Sequence, residues 1–105
     1  MSYYSDIEGD IRMVDEESVK QILEELNDYP TPDWFAGQED ILLIFISGYD
    51  NHLYNFVNEI LQAWDDKIYS CEVYGHGEDG SHWRWMKRPN WDKIREQQGR
   101  VIYED

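Results

Sequence analysis

Cysteine is nearly missing from this chain: Cys71 is the only one in 105 residues, which excludes an internal disulfide and a cysteine-based zinc site. Basic residues are scarce too, with nine Lys and Arg against 23 Asp and Glu, for a formal net charge of −14. A surface of that sign repels nucleic acid and anionic lipid, so neither is expected as a direct partner. Long hydrophobic runs are missing as well. The longest aliphatic and aromatic stretch, Ile41 to Ile46, is about a third of a membrane span. The start, Met1-Ser2-Tyr3-Tyr4-Ser5-Asp6, has neither the basic nor the apolar region of a secretory signal, so a cytoplasmic location is expected. With no repeat, low-complexity tract or long linker, residues 1–105 read as one domain.

Aromatic residues are plentiful, at 15%, including five Trp and eight Tyr. That much large apolar side chain can build a packed core, which argues against disorder despite the charge. The charge is also uneven. Residues 1–79 hold 19 acids and 3 bases, whereas residues 80–105 hold 4 acids and 6 bases.

Residues 3–13 alternate: Tyr3, Ile7, Ile11 and Met13 share one parity, and Asp6, Glu8, Asp10 and Arg12 the other. This is the pattern of a half-exposed strand. Asp15 then suits a helix N-cap, with Glu16 and Glu17 in the first turn, where the helix dipole favours anions. Val19, Ile22, Leu23 and Leu26 form a one-sided helical stripe that should stop near Asp28, before Pro30 and Pro32. Pro30 to Asp40 reads as a loop. Ile41 to Ile46, without a polar residue, reads as a strand covered on both faces near the middle of a sheet. Gly48 to Asn51 turns into a second helix with Leu53, Phe56, Val57, Ile60, Leu61 and Trp64 on its apolar stripe, ended by Asp65 and Asp66.

Ile68 to Tyr74 reads as a strand with Tyr69, Cys71 and Val73 on one side, followed by a Gly75–Gly80 hairpin loop and a return strand from His82 to Lys87. A short helical turn from Asp92 to Gln97, closed by Gly99, and a last strand from Arg100 to Tyr103 complete the reading. The expected fold is α+β: a two-layer sandwich of ferredoxin-like type, β-α-β-α-β-β with an extra C-terminal strand.

Three constellations carry chemistry. The first is His76-Gly77-Glu78-Asp79-Gly80-Ser81-His82, which offers metal ligands or an acid/base pair. Its spacing matches no closed metal motif, and no nucleophile or oxyanion site accompanies it. No metal or other cofactor is therefore expected, and the chain is not read as an enzyme. The second is Trp83-Arg84-Trp85-Met86-Lys87-Arg88, where aromatics interleave with bases as in single-strand binders. Trp83 and Trp85 share a parity that suits the core, and the bases suit pairing with nearby acids. The third is acidic. Asp6, Glu8 and Asp10 project from one side of a strand about 6.6 Å apart, on the scale of phosphates along one nucleic-acid strand. Glu16, Glu17, Glu24, Glu25 and Asp28 extend the negative surface along the first helix, with Asp33, Glu39 and Asp40 in the next loop.

The hairpin pattern Gly75-x-Gly77-Glu78, then Trp83-Arg84, then Gly99-x-Val101-x-Tyr103-Glu104, together with Glu8-Gly9-Asp10-Ile11, resembles a group of small uncharacterised ferredoxin-like proteins of phages and bacteria. That resemblance implies the fold and assigns no activity. In size and charge the chain is also similar to phage inhibitors of host defence nucleases, the anti-CRISPR proteins and other DNA mimics.

The function expected from these features is that of an acidic inhibitor. It would dock Asp6, Glu8, Asp10, Glu16, Glu17, Glu24 and Glu25 on the basic nucleic-acid-binding surface of a CRISPR effector, restriction enzyme or repair nuclease. One alternative is a metal-dependent or acid/base enzyme centred on His76, Glu78, Asp79 and His82. Another is a homodimeric interaction or immunity module that pairs edge strands or the aromatics Trp34, Phe35 and Trp91.

Overall fold

The structure, a computed structural model, describes residues 4–28, 33–49 and 52–100. In chain order the elements are β1 (Ser5–Met13), α1 (Glu16–Leu26), β2 (Phe35–Gln38), β3 (Ile41–Gly48) and α2 (Leu53–Ala63). A 3₁₀ turn (Asp65–Lys67) then leads into β4 (Ile68–Gly77), β5 (Ser81–Lys87) and β6 (Arg95–Arg100). The strands form one sheet in the order β2-β3-β1-β4-β5-β6, with every neighbouring pair antiparallel. Both helices pack on one face, giving an α+β two-layer architecture.

The parity of β1 sorts its side chains as expected. Ser5, Ile7, Ile11 and Met13 are buried against the helices, while Asp6, Glu8, Asp10 and Arg12 are exposed on the other face. α1 starts where Asp15 accepts hydrogen bonds from the Ser18 backbone N–H and hydroxyl, at 2.8 and 2.7 Å. Those two donors hold the Asp15 carboxyl below its ordinary pKa. Val19, Ile22 and Leu26 face the sheet. From α2, Leu53, Val57 and Leu61 are fully buried, and Phe56, Ile60 and Trp64 pack around them. Trp85 of β5, with no exposed surface, lies beneath α2 and donates its indole N–H to Asn58 Oδ1 at 3.1 Å. A buried ion pair closes one end of the core, where Lys87 Nζ meets Asp65 Oδ1 at 2.8 Å.

Several expectations are corrected. Within the expected loop from Pro30 to Asp40, Phe35–Gln38 forms β2, paired with β3 across the turn at Glu39 and Asp40; Pro30 and Pro32 lie outside the described residues. β3 is not covered on both faces. Leu42, Ile44 and Ile46 are buried, but Leu43 and Phe45 are 42% and 65% exposed, because among the described residues no layer covers the second face of the sheet. In β4, Tyr69 does not join Cys71 and Val73 inside. The pairing jumps from Arg12–Ser70 to Met13–Ile68, so Tyr69 bulges out and stays exposed.

The strands of the β4–β5 hairpin run further into the expected Gly75–Gly80 loop, leaving a turn of three residues that Gly80 closes at φ 86°. Gly75 is a strand residue and makes room for the Trp83 ring, which a Cβ there would meet at 2.5 Å. The expected helical turn from Asp92 to Gln97 and closing Gly99 give way to β6. There Arg95–Arg100 complete backbone pairing along β5, which a six-residue helix could not offset. Of the expected final strand, Arg100 belongs to β6 and Val101 to Tyr103 lie outside the described residues, as does Tyr3 of the first strand.

Candidate interaction face

The face of the sheet opposite the helices is open, and register fixes what lies on it. One row crosses β3, β1, β4, β5 and β6 as Phe45, Glu8, Tyr74, Arg84 and Gln97. The row on one side reads Ser47, Asp6, His76, His82 and Gly99. On the other side it reads Leu43, Asp10, Glu72, Met86 and Arg95. The face thus has an apolar border on β3, a column of carboxylates on β1, a mixed column on β4, and cations on β5 and β6.

The carboxylate column is electrostatically uncomfortable. Asp10 stands directly across from Glu72, a like-charged cross-strand pair of the kind that destabilises a sheet. Glu72 is partly compensated: Arg84 Nη2 approaches it at 3.6 Å, and the Tyr74 hydroxyl donates to it. That bond holds the Tyr74 phenol above its ordinary pKa, since ionising it would put a second negative charge beside the carboxylate. Asp6 accepts from the Tyr4 hydroxyl at 2.8 Å, which raises the Tyr4 phenol in the same way. The side chains of Glu8 and Asp10 make no hydrogen bond or ion pair among the described residues.

The α1 carboxylates do not extend this face. Because α1 turns Val19, Ile22 and Leu26 toward the sheet, Glu16, Glu17, Glu24 and Glu25 project from the helical layer, on the opposite side of the molecule. Glu16 lies 3.9 Å from Lys20, and Glu25 accepts the Trp64 indole N–H at 2.9 Å. Asp28, Asp33 and Glu39 are exposed outside the sheet rows, and Asp40 lies 3.7 Å from Arg12. The acidic residues of β1 and those of α1 therefore lie on two separate surfaces.

The histidine segment is not a loop site. His76 and His82 sit on paired strands with ring centroids 5.9 Å apart. Glu78 uses its backbone N–H on the Tyr4 carbonyl, and Asp79 accepts from the Ser81 N–H at 3.0 Å. Among the described residues, no group of three or more His, Cys, Asp and Glu side chains is gathered for a metal ion. Cys71 is buried, and desolvation pushes its thiol up to about 12. The aromatics considered for self-association are also engaged. Trp34 and Phe35 each pack edge-on against Phe56, and Arg95 stacks 3.9 Å over Trp91.

Sequence reasoning missed Glu72, Leu43, Phe45 and Arg95 as members of one face with Glu8 and Asp10. The alternation of Glu72, Tyr74 and His76 was the available signal; register, which unites the rows, was not. Among the described residues, no helix is long and apolar enough to cross a membrane. No protein-family model matches the chain, and neither a curated protein nor a solved structure is significantly similar to it.

Proposed function

We propose that the chain is a non-enzymatic inhibitor of the anti-CRISPR or DNA-mimic type, as phages use against host defence. It presents the open face of its sheet to a basic, nucleic-acid-binding protein surface and blocks nucleic-acid access. The supporting observation is the β1 column at the centre of an exposed sheet. Two of its carboxylates, Glu8 and Asp10, lack partners among the described residues, and Asp10 faces Glu72. Holding like charges together costs stability, and a cationic groove on a partner would relieve that cost. Exposed Leu43 and Phe45 beside the column add apolar contact area, which a purely solvating acidic surface has no need of. Asp6, Glu8 and Asp10 are the contacts of this reading. Glu16, Glu17, Glu24 and Glu25 contribute long-range steering from the far layer.

The fold fits the same proposal. The order β4-β1-β3-β2 with its two crossing helices supports a ferredoxin-like unit, to which β5 and β6 add the cationic end of the face. The enzyme alternative has no comparable support, since its four residues serve the turn and the strand pairing. Competition is the test: purified CRISPR effectors, restriction enzymes and repair nucleases, each bound to labelled DNA or guide RNA, are titrated with the chain in a mobility-shift assay. Displacement of nucleic acid from at least one of them, lost on joint charge reversal of Asp6, Glu8 and Asp10, is the expected result. Displacement that survives that reversal would remove this face from the mechanism.

A further inference from the structure

The open face is bipolar, and its two poles are arranged so that a second copy fits them. Tyr74 of β4 lies midway between Glu8 and Arg84 in one row; in the next row His76 lies midway between Asp6 and His82. A two-fold axis running along β4, between two sheets packed face to face about 10 Å apart, exchanges the strands on either side of it. Glu8 of each copy then lies over Arg84 of the other, and Asp6 over His82. Asp10 lies over Met86, Leu43 and Phe45 of β3 are covered by Arg95 and Gln97 of β6, and on the axis Glu72 faces Glu72, a like-charge contact that weakens the dimer and that the Arg84 of each copy offsets. We infer that the chain forms a two-fold dimer through this face, with Glu8 and Arg84 as its reciprocal ion pair.

Arg84 supports this independently. Its Nε is buried without a hydrogen-bond partner among the described residues. Among the described residues its Nη2 reaches the Met86 sulfur and the Glu72 carboxylate, both at 3.6 Å, and its guanidinium carbon lies 5.5 Å from the centre of the Tyr74 ring, so none of these contacts is a close charge-assisted hydrogen bond. A carboxylate arriving from the opposite sheet meets the exposed part of the Arg84 side chain, which keeps 39% of its surface in solvent, and the same event supplies Glu8 with the cation it lacks. Nearby Arg88 and Arg95 cluster around Trp91 and make no ion pair among the described residues, although the chain has 23 acidic side chains. An isologous interface needs a surface complementary to itself, and the Glu8 and Arg84 columns on either side of β4 provide one such reciprocal contact.

The five strands β3, β1, β4, β5 and β6 at about 4.8 Å each and the five residues from Asp6 to Asp10 at about 3.3 Å each give a contact of roughly 24 by 16 Å. That is small for a specific interface, so the dissociation constant falls in the micromolar range or above. The net charge of −14 on each copy opposes approach at low ionic strength and is screened over about 8 Å at physiological salt. The dimer occupies the face that the proposed target uses, so the two associations exclude each other. The dimer is nonetheless tested on the purified chain alone, and its failure leaves the inhibitor reading standing.

The experiment is sedimentation equilibrium of the full chain at physiological salt, with Glu8→Arg, with Arg84→Glu, and with the two variants mixed in equal amounts. The wild-type chain is expected to show a reversible monomer–dimer equilibrium. Each variant alone sets like charges against each other twice and should weaken it roughly tenfold or more. In the mixed dimer one contact is the native Glu8–Arg84 pair, and the other joins the two introduced side chains, the same pair with its charges exchanged. The heterodimer should therefore recover wild-type affinity. Because that recovery needs both variants folded, it separates a broken interface from a broken protein. A wild-type chain that stays monomeric up to its solubility limit overturns the inference, as does a mixture that associates no better than either variant alone.

Discussion

Asp65→Ala should be among the most damaging single substitutions in the chain, although the side chain touches no part of the open face. Lys87 is only 8% exposed, and its ammonium is held by the Asp65 carbonyl at 2.7 Å and Asp65 Oδ1 at 2.8 Å. Asp65 Oδ2 accepts from the Ile94 backbone N–H at 3.2 Å, which pins the segment between β5 and β6. Alanine leaves the carbonyl but strands a buried ammonium with no countercharge and an amide with no acceptor. Removing one partner of a buried pair costs about 3–5 kcal/mol. Because Asp65 keeps 15% of its side chain in solvent, the lower end applies, about 3 kcal/mol. A domain of this size has about 5–15 kcal/mol in total, so the variant loses a large share of its stability. The corresponding fall in Tm is about 12–24 °C.

Lys87→Met is the informative control. It fills similar volume and leaves Asp65 without its cation, but that carboxylate is more exposed than Lys87 and keeps the Ile94 N–H, so the variant should cost less than Asp65→Ala. The double variant should be more stable than Asp65→Ala alone. Urea denaturation followed by tryptophan fluorescence measures all three. Equal losses for Asp65→Ala and Lys87→Met would refute the reasoning, because the effect would then reflect lost contact and not a stranded charge.

Other substitutions test other parts of the account. Asp10→Asn removes the like-charge contact with Glu72 and should raise stability by a few tenths of a kcal/mol while weakening displacement of nucleic acid from a target; paired denaturation and mobility-shift measurements would show that opposite movement. Gly9→Ala would place a Cβ 2.3 Å from the Glu72 carbonyl oxygen and 2.6 Å from the Val73 Cα, both backbone atoms of β4, and so should cost roughly 1–3 kcal/mol in urea denaturation. Cys71, its thiol pushed up to about 12 by burial, should react with a disulfide reagent at mildly alkaline pH only as fast as the protein opens. Stopped-flow labelling across a urea series checks that dependence.

Local signals carried much of the fold. The alternation in β1 and the Asp15 cap with its apolar stripe each state one dominant interaction, and the structure follows them. Failures arise where a distant partner decides the outcome. β2 is four residues long, and only the neighbouring β3 backbone makes it a strand. The unbroken apolar run of β3 reads as doubly buried, yet Leu43 and Phe45 are exposed because both helices lie on one side. Tyr69 obeys the parity of its strand, but a bulge against β1 turns it outward. For the face itself, Asp6, Glu8 and Asp10 were legible from their spacing. Glu72 and Arg84 were not, since cross-strand register carries no signature in a single sequence. Charge alone could not say that the α1 glutamates point away from that face.

The most direct test of the central claim separates the two acidic surfaces. Two variants are compared in the same nucleic-acid displacement assay: one reverses Asp6, Glu8 and Asp10 to lysine, the other reverses Glu16, Glu17, Glu24 and Glu25. Both gain positive charge, and the helix variant gains more. If docking occurs through the open face, the sheet variant loses displacement while the helix variant keeps it, with only slower association at low salt. Loss that follows the number of charges reversed, or that is greater for the helix variant, would contradict the account and leave net charge as the cause.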